Sequence, residues 1–147
     1  MSPKRSGGGA SARSVFVDSG AWLAFLHRRD QHHRESDRAM RAAIQDRMTL
    51  FTTNLVVAEV HRLLLHRVGF AAARTFLDGL DASRHLEIDF ATPSEHAQAR
   101  AWIAKLADHP ITYTDAVSFA AMERRRCRLV LGFDRDFLLA GFELYAR

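Results

Sequence analysis

Two acidic residues directly follow short apolar segments that are typical of buried β-strands. Asp18 ends the segment SVFVD, and Asp134 comes just after the segment RLVLG. An aspartate is poorly suited to a strand, and its charge is costly when it is buried without a partner. Both positions therefore need an explanation, and two such acids could face each other across a cleft.

A third acid, Glu59, lies on the apolar face of a predicted helix. In TTNLVVAEVHRLLLHR, Glu59 is four residues from Leu55 and Leu63 and three from Val56. It should therefore project from the middle of the inward face. A buried ion pair or a carboxylate at the edge of the apolar stripe would explain Glu59 structurally. The alternative explanation is a role in metal binding or catalysis.

A fourth acid, Asp115, has a structural explanation of its own. In ITYTDAVSFAAM, Thr112 and Asp115 form a capping box, which places Asp115 in the first helical turn, where a negative charge is favoured. Thr92 and Glu95 show the same pattern, and we assign that pair a structural role only. Capping alone would explain Asp115, so it becomes a candidate for chemistry only together with the other three acids.

The four acids together predict a metal site. Four carboxylates in one cleft repel one another unless cations compensate their charge, and ligand sets made only of oxygen suit Mg²⁺ or Mn²⁺. Such ions can hold a phosphodiester, lower the pKa of a bound water and stabilise the charge on the leaving oxygen. If Asp18, Glu59, Asp115 and Asp134 converge, the predicted reaction is phosphodiester hydrolysis.

The elements that would position these acids alternate along the chain. Short β-branched segments predict strands at residues 15–18, 48–53, 85–90, 128–132 and 142–146. Longer patterns with helical period predict helices near residues 19–27, 32–47, 54–68, 70–81, 93–107 and 113–126. This alternation predicts an α/β fold, with a mostly parallel sheet covered by helices on both faces. Ligands of such sheets bind beyond the carboxyl ends of the strands, where Asp18 and Asp134 are expected.

Length and composition predict one soluble domain. Of the 147 residues, 1–13 are rich in Gly, Ser and basic side chains and are predicted to be a flexible leader, whereas 14–147 form the folded domain. No apolar segment approaches the roughly 20 residues that span a membrane, and the N-terminus lacks the apolar core of a secretory signal. With its single cysteine, the chain is expected to be cytoplasmic and to have no membrane partner. The net charge of +4 permits a polyanionic partner.

The segments around the four acids resemble, in order and spacing, the acidic motifs of the PIN-domain family. The resemblance is greatest to the VapC-type ribonuclease toxins of bacterial toxin–antitoxin pairs, and it covers nearly everything after the leader. It is carried by FVDSGAWLAFL, TTNLVVAEVHRLLL, ITYTDAVSFAAM and LGFDRDF. It implies a compact α/β/α sandwich and a Mg²⁺- or Mn²⁺-dependent endoribonuclease that cleaves RNA. It also implies a homodimer that is inhibited by a cognate antitoxin, whose C-terminal segment lies over the active site.

The resemblance also implies a role for each acid. Asp18 and Asp115 correspond to the principal metal ligands, and Glu59 corresponds to a ligand that acts directly or through water. Asp134 corresponds to the fourth acid, and Asp136 either assists Asp134 or substitutes for it.

The sequence departs from the family pattern at one position. Gly132 stands where many relatives carry a Ser or Thr two residues before the acid. The hydroxyl that often forms a hydrogen bond within the site is therefore missing. Ser19 and Thr114 are the nearby hydroxyl groups that are candidates for an accessory role.

Two other functions are compatible with parts of the sequence. A catalytically inactive RNA-binding protein could keep the PIN fold, although retention of all four acids argues against it. A phosphotransfer domain would also place an Asp after its first strand. A haloacid-dehalogenase phosphatase, however, needs a second Asp where this chain has Gly20, and the acidic pair and lysine of a receiver domain are not evident.

The adjacent residues His32 and His33 are not predicted to bind a metal. They point about 100° apart on a helix and therefore cannot readily share one ion. We expect them at the surface or facing RNA.

Overall fold

The computed structural model describes residues 13–145. Residues 1–12, nearly all of the predicted leader, lie outside the described residues, as do residues 146 and 147. The backbone carbonyl of Arg13 accepts a hydrogen bond from the N–H of Thr49, with an N···O distance of 2.9 Å. Within residues 13–145, no helix has the length and apolar character needed to cross a membrane.

Five strands form one sheet in which every neighbouring pair is parallel. The strands are β1 (Ser14–Val17), β2 (Thr49–Thr53), β3 (Leu86–Asp89), β4 (Leu129–Leu131) and β5 (Glu143–Leu144). Their order in the sheet is β3-β2-β1-β4-β5, so β1 lies in the centre between β2 and β4. All five predicted strands are present: β1 is shifted by one residue at unchanged length, and the other four are shorter than predicted. The prediction that Asp18 belongs to the first strand is wrong, because β1 ends at Val17 and Asp18 is the N-cap of the next helix.

In the described part of the chain, seven helices pack around this sheet. They are α1 (Ser19–Leu26), α2 (His33–Gln45), α3 (Asn54–Arg67), α4 (Phe70–Ala82), α5 (Pro93–Lys105), α6 (Tyr113–Arg124) and α7 (Asp136–Leu139). The six predicted helices are confirmed to within about three residues at each end, whereas the short α7 was not predicted. The α/β/α arrangement around a parallel sheet confirms the predicted fold class.

The core explains why β1 and α6 are apolar along almost their whole length. Parallel strands with helices on both faces have no solvent-facing side, and Val15, Phe16 and Val17 are accordingly fully buried. In α6, every residue from 115 to 122 is buried, as expected of a helix that is surrounded on all sides. The ring of Phe119 in α6 packs edge-on against Phe137 of α7, with 5.1 Å between centroids. Strand β1 ends and helix α6 begins at the same edge of the sheet, where Asp18 and Asp115 lie close together.

Three helices start with a threonine N-cap whose hydroxyl oxygen accepts a backbone hydrogen bond. Thr53 accepts from the N–H of Val56, and the predicted capping boxes at Thr92 and Thr112 are also present. Glu95, the partner of Thr92, is 1% exposed, and one of its oxygens lies 3.4 Å from the Arg124 guanidinium. These contacts agree with the structural role assigned to Glu95.

Candidate active site

Three of the predicted acids meet at the carboxyl edge of the sheet. Asp18 follows β1, Asp115 lies in the first turn of α6, and Asp134 follows β4. One carboxylate oxygen from each of them lies within 4.8 Å of the others. The structure therefore brings together acids that are far apart in the sequence, and we call Asp18, Asp115 and Asp134 the acid cluster.

Asp18 is held by both the sheet and the helix that follows it. Its N–H donates to the carbonyl of Leu131 in β4 at 3.0 Å, and its own carbonyl accepts from the N–H groups of Ala21 and Trp22. The backbone N–H of Ser19 favours the charged carboxylate of Asp18 and so opposes the increase of its pKa. The side chain is 3% exposed, and among residues 13–145 its Oδ1 atom has no hydrogen-bond partner. A buried acceptor without a donor is expensive, which indicates that another group is needed there.

Asp115 combines its capping role with membership of the acid cluster. Its N–H donates to Oγ1 of Thr112 at 3.1 Å, and its carboxylate accepts a hydrogen bond from the Thr112 hydroxyl. The helix start therefore fixes the backbone and helps to orient the carboxylate. The structural and the chemical explanations of Asp115 both apply. Thr112 was predicted as a cap but not as a partner of the site, although the capping box already marked its position.

Asp134 is the most exposed member of the acid cluster, and its orientation is set by α7. Its Oδ1 atom accepts a hydrogen bond from the N–H of Asp136 at 2.9 Å. Asp136 itself lies outside the acid cluster. Partial burial and the nearby Asp134 charge raise the pKa of Asp136, and His109 opposes this increase. Of the two candidates for the fourth acid, the structure brings Asp134 into the acid cluster and leaves Asp136 beside it.

Glu59 lies near the acid cluster but not within it. Its charge raises the pKa of both Asp18 and Asp115, which places it within electrostatic reach. Glu59 is half-buried, and the fully buried residues of α3 are Val56, Val60 and Leu64. No ion pair of Glu59 is found within residues 13–145, so the structure offers no support there for the buried ion pair considered from the sequence.

Burial and mutual repulsion change the protonation of the acid cluster. The pKa of Asp18 is raised from 3.8 to about 8, first by burial and then by the charge of Asp115. The pKa of Asp115 is raised to about 7 by burial and by the charge of Asp134, while the hydrogen bond from Thr112 opposes the increase. Without a compensating cation, the acid cluster would therefore hold protons near neutral pH.

The acid cluster fits a hard divalent cation. It offers oxygen ligands only, which suit Mg²⁺, Mn²⁺ or Ca²⁺ better than a metal that prefers nitrogen or sulfur. The unpartnered Oδ1 of Asp18 supplies a buried acceptor for such an ion. A bound cation would favour the ionised carboxylates and so remove the cause of the raised pKa values.

Gly132 allows β4 to pass very close to Asp18. A Cβ atom added at Gly132 would lie 3.1 Å from Cβ and 3.6 Å from Oδ2 of Asp18. A serine or threonine here would therefore press on Asp18 unless the chain shifted. The two candidate hydroxyl groups do not replace the missing one: within the described chain, no hydrogen bond joins the side chain of Ser19 or Thr114 to the acids.

Comparison with known families and proteins agrees with this geometry. The sequence model described as PIN domain matches residues 15–143. The chain is 29% identical over 128 residues to the 23S rRNA-specific endonuclease VapC20 of Mycobacterium tuberculosis, covering 87% of this chain and 95% of that protein. It is 27% identical over 128 residues to a VapC ribonuclease of Archaeoglobus fulgidus, covering 86% of this chain and 80% of that protein.

Solved structures show the same likeness. The crystal structure of Mycobacterium tuberculosis VapC20, described as a sarcin–ricin loop cleaving toxin, superposes with a TM-score of 0.81 at 28% identity, covering 88% of this chain and 97% of that one. FitAcB from Neisseria gonorrhoeae gives a TM-score of 0.62 at 14% identity, covering 89% of this chain and 96% of that one, and shares the fold. Because the family model spans most of the sequence and the structure carries the expected fold, this chain belongs to the PIN domain family.

Proposed function

We propose that this protein is a Mg²⁺- or Mn²⁺-dependent endoribonuclease that acts as the toxin of a type II toxin–antitoxin system. The observation that carries the proposal is the acid cluster, in which a buried and unpartnered oxygen of Asp18 lies beside two other carboxylates. The relatives named VapC20 and VapC ribonuclease support the same reaction class.

In this proposal, Asp18, Asp115 and Asp134 hold the cation, and Glu59 contributes through a bridging water. A cation held by these residues would supply Lewis-acid chemistry: it would lower the pKa of a water and offset negative charge on the phosphate and the leaving oxygen. The rest of the site serves to keep the carboxylates in position. The Ser19 N–H favours the charged form of Asp18, and the Thr112 hydroxyl favours the charged form of Asp115.

Partners and location are part of the proposal. We propose an RNA substrate, a cognate antitoxin that inhibits the enzyme, a homodimer and a cytoplasmic location. The description of the Mycobacterium tuberculosis relative as a toxin supports the antitoxin, and its ribosomal RNA target makes a sarcin–ricin loop RNA the first substrate to test.

Expression in bacteria tests the proposal directly. Induced expression of this chain alone should arrest growth, and either Asp18→Asn or Asp115→Asn should relieve the arrest, because each change removes a cation ligand. Western blots of the soluble fraction provide the control for expression. Equal toxicity of the wild type and both soluble variants would reject a metal-dependent ribonuclease as the cause.

A cleavage assay separates the proposed activity from the other functions considered. Purified protein with Mn²⁺ should cleave RNA and leave a small phosphomonoester intact, and EDTA should abolish cleavage. Hydrolysis of the phosphomonoester alone would indicate a phosphatase. RNA binding without cleavage at any Mn²⁺ concentration would indicate the catalytically inactive binding protein.

A further inference from the structure

A cavity of about 460 Å³ opens beside the acid cluster. The first two turns of α2 form one wall, and the carboxyl ends of β4 and β5 form the other. Gly132 and Phe133 line this cavity, and the next residue, Asp134, belongs to the acid cluster. Since Gly132 also packs closely against Asp18, the cavity and the acid cluster share a wall. The cavity therefore adjoins the acid cluster at Gly132.

Aromatic side chains give the cavity a flat wall. The rings of Phe133 and His32 are stacked, with centroids 4.3 Å apart and an angle of 18° between their planes. Phe133 is only half-buried, although it is a large apolar side chain beside a cluster of charges. The ring of Tyr145 also lines the cavity, and its hydroxyl donates to Asp46 at 3.4 Å. The stack with His32 constrains the orientation of the Phe133 ring.

The polar side chains that line the cavity are Glu35, Ser36 and Tyr145. The Ser36 hydroxyl is buried and donates to the carbonyl of Ala21 at 2.7 Å. The Glu35 side chain is 64% exposed, and one of its oxygens lies 3.4 Å from Nδ1 of His32. Glu35 therefore presents a carboxylate at the rim of the cavity that can accept a hydrogen bond from a ligand.

We propose that this cavity binds one unpaired nucleobase of the RNA, next to the phosphodiester that lies at the acid cluster. The base stacks on Phe133, and Glu35 accepts a hydrogen bond from an exocyclic amino group. Cytosine, adenine and guanine carry such a group and uracil does not. Single-stranded RNA is commonly bound by stacking of bases on aromatic side chains, and the volume lies in the range of ligand sites. The inference rests on the proposed nuclease function, because it takes RNA as the ligand of the acid cluster.

Binding of short RNA tests the cavity separately from cleavage. The probes are fluorescein-labelled octamers of cytidine and of uridine, and the protein carries Asp115→Asn so that the proposed cleavage is disabled. Phe133→Ala should weaken binding of the cytidine octamer about 5- to 100-fold, the range expected for loss of one base–aromatic stack. Phe90→Ala is the matched control, because Phe90 is 68% exposed and does not line the cavity.

Two further variants keep the test decisive. Phe133→Leu retains the apolar volume, so weaker binding by this variant with an unchanged melting temperature excludes misfolding as the cause. Glu35→Gln should reduce the preference for cytidine over uridine. Unchanged affinity and unchanged base preference in the Phe133 and Glu35 variants would overturn the proposal. RNA cleavage by the wild type in Mn²⁺ is measured separately. Its absence would refute the nuclease, whereas binding that depends on Phe133 would still support the cavity.

Discussion

Replacement of Asp18 by asparagine should stabilise the protein in EDTA. The side chain is almost fully buried and carries an oxygen without a hydrogen-bond partner in the described part of the chain, so its charge is unfavourable when no cation is present. Asn has nearly the same shape, keeps one side-chain oxygen, and carries no charge. The variant therefore removes the unfavourable free energy of the buried Asp18 carboxyl in the metal-free protein.

The raised pKa of Asp18 gives the size and the pH dependence of this effect. The carboxyl has an ordinary pKa of 3.8 in the unfolded chain and about 8 in the folded protein. Between these values the folded state binds more protons than the unfolded state, so the free energy of unfolding decreases as pH rises. At about 1.36 kcal/mol per pKa unit, this cost is about 4 kcal/mol at pH 7 and about 2 kcal/mol at pH 5. The free energy of unfolding of Asp18→Asn should exceed that of the wild type by up to these amounts.

Thermal melting in EDTA at the two pH values measures the gain. Each kcal/mol corresponds to about 3–4 °C for a domain of this size. Asp78→Asn is the matched control, because Asp78 is 73% exposed and its ion pair with Arg74 spans 3.7 Å; it should change stability by less than about 0.5 kcal/mol.

Addition of Mn²⁺ should reduce or reverse the difference in stability between Asp18→Asn and the wild type. At one hundred times its dissociation constant, the ion should stabilise the wild type by about 2.7 kcal/mol and Asp18→Asn far less. A variant that is clearly destabilised in EDTA, and that responds to Mn²⁺ like the wild type, would refute the assignment of Asp18 to a cation site.

Three further predictions concern the neighbours of Asp18. Asp134→Asn should reduce the initial rate of RNA cleavage less than Asp18→Asn at the same Mn²⁺ concentration, because Asp134 is the most exposed of the three acids; equal losses would contradict this. Thr112→Val removes a cap and a hydrogen bond to the Asp115 carboxylate, so it should cost about 1 kcal/mol and raise the pKa of Asp115 above about 7 in an NMR titration. An unchanged pKa would argue against that bond. Gly132→Ala places a methyl group 3.1 Å from Cβ of Asp18 and should weaken the thermal stabilisation by Mn²⁺, whereas a wild-type response would show that β4 can shift without loss.

The order of the elements could be predicted because each one carries a strong local signal. Buried parallel strands are continuous apolar segments, and the helices that follow them begin with recognisable caps such as Thr112. Strand ends were less predictable, because Asp18 belongs to two elements. Its N–H still pairs with β4 while its carbonyl begins α1. The four-residue α7 was missed because it is too short to show a helical period.

The acid cluster could be predicted only in part. Topology places the ends of neighbouring parallel strands at one edge, which was sufficient to bring Asp18 and Asp134 together. The apolar periodicity predicted the face of α3 on which Glu59 lies. It could not predict how α3 is tilted, or how far it lies from the acid cluster. Glu59 accordingly lies outside the 4.8 Å group. The raised pKa values of Asp18 and Asp115 depend on burial in three dimensions, which no local pattern encodes.

The two adjacent histidines show a different limit of the sequence. Both were expected at the surface or facing RNA. The ring of His33 instead lies 2.7 Å from the carbonyl of Ala24, whereas His32 stacks on Phe133. The contact between His32 and Phe133 joins distant parts of the chain. No local sequence pattern around either residue predicts it. The cavity beside the acid cluster therefore became visible only in the structure.

The central position of β1 has a consequence for how the protein is made. Strand β1 is synthesised before β4, yet the N–H of Asp18 pairs with Leu131 of β4, and Asp134 lies beyond the end of β4. Domains fold as they leave the ribosome, and non-local parallel strands pair slowly. We expect a chain that ends at residue 128 to retain three of the predicted acids and yet to cleave no RNA in Mn²⁺; cleavage by that fragment would contradict this. The growing polypeptide would then cleave no RNA until β4 and Asp134 had been synthesised.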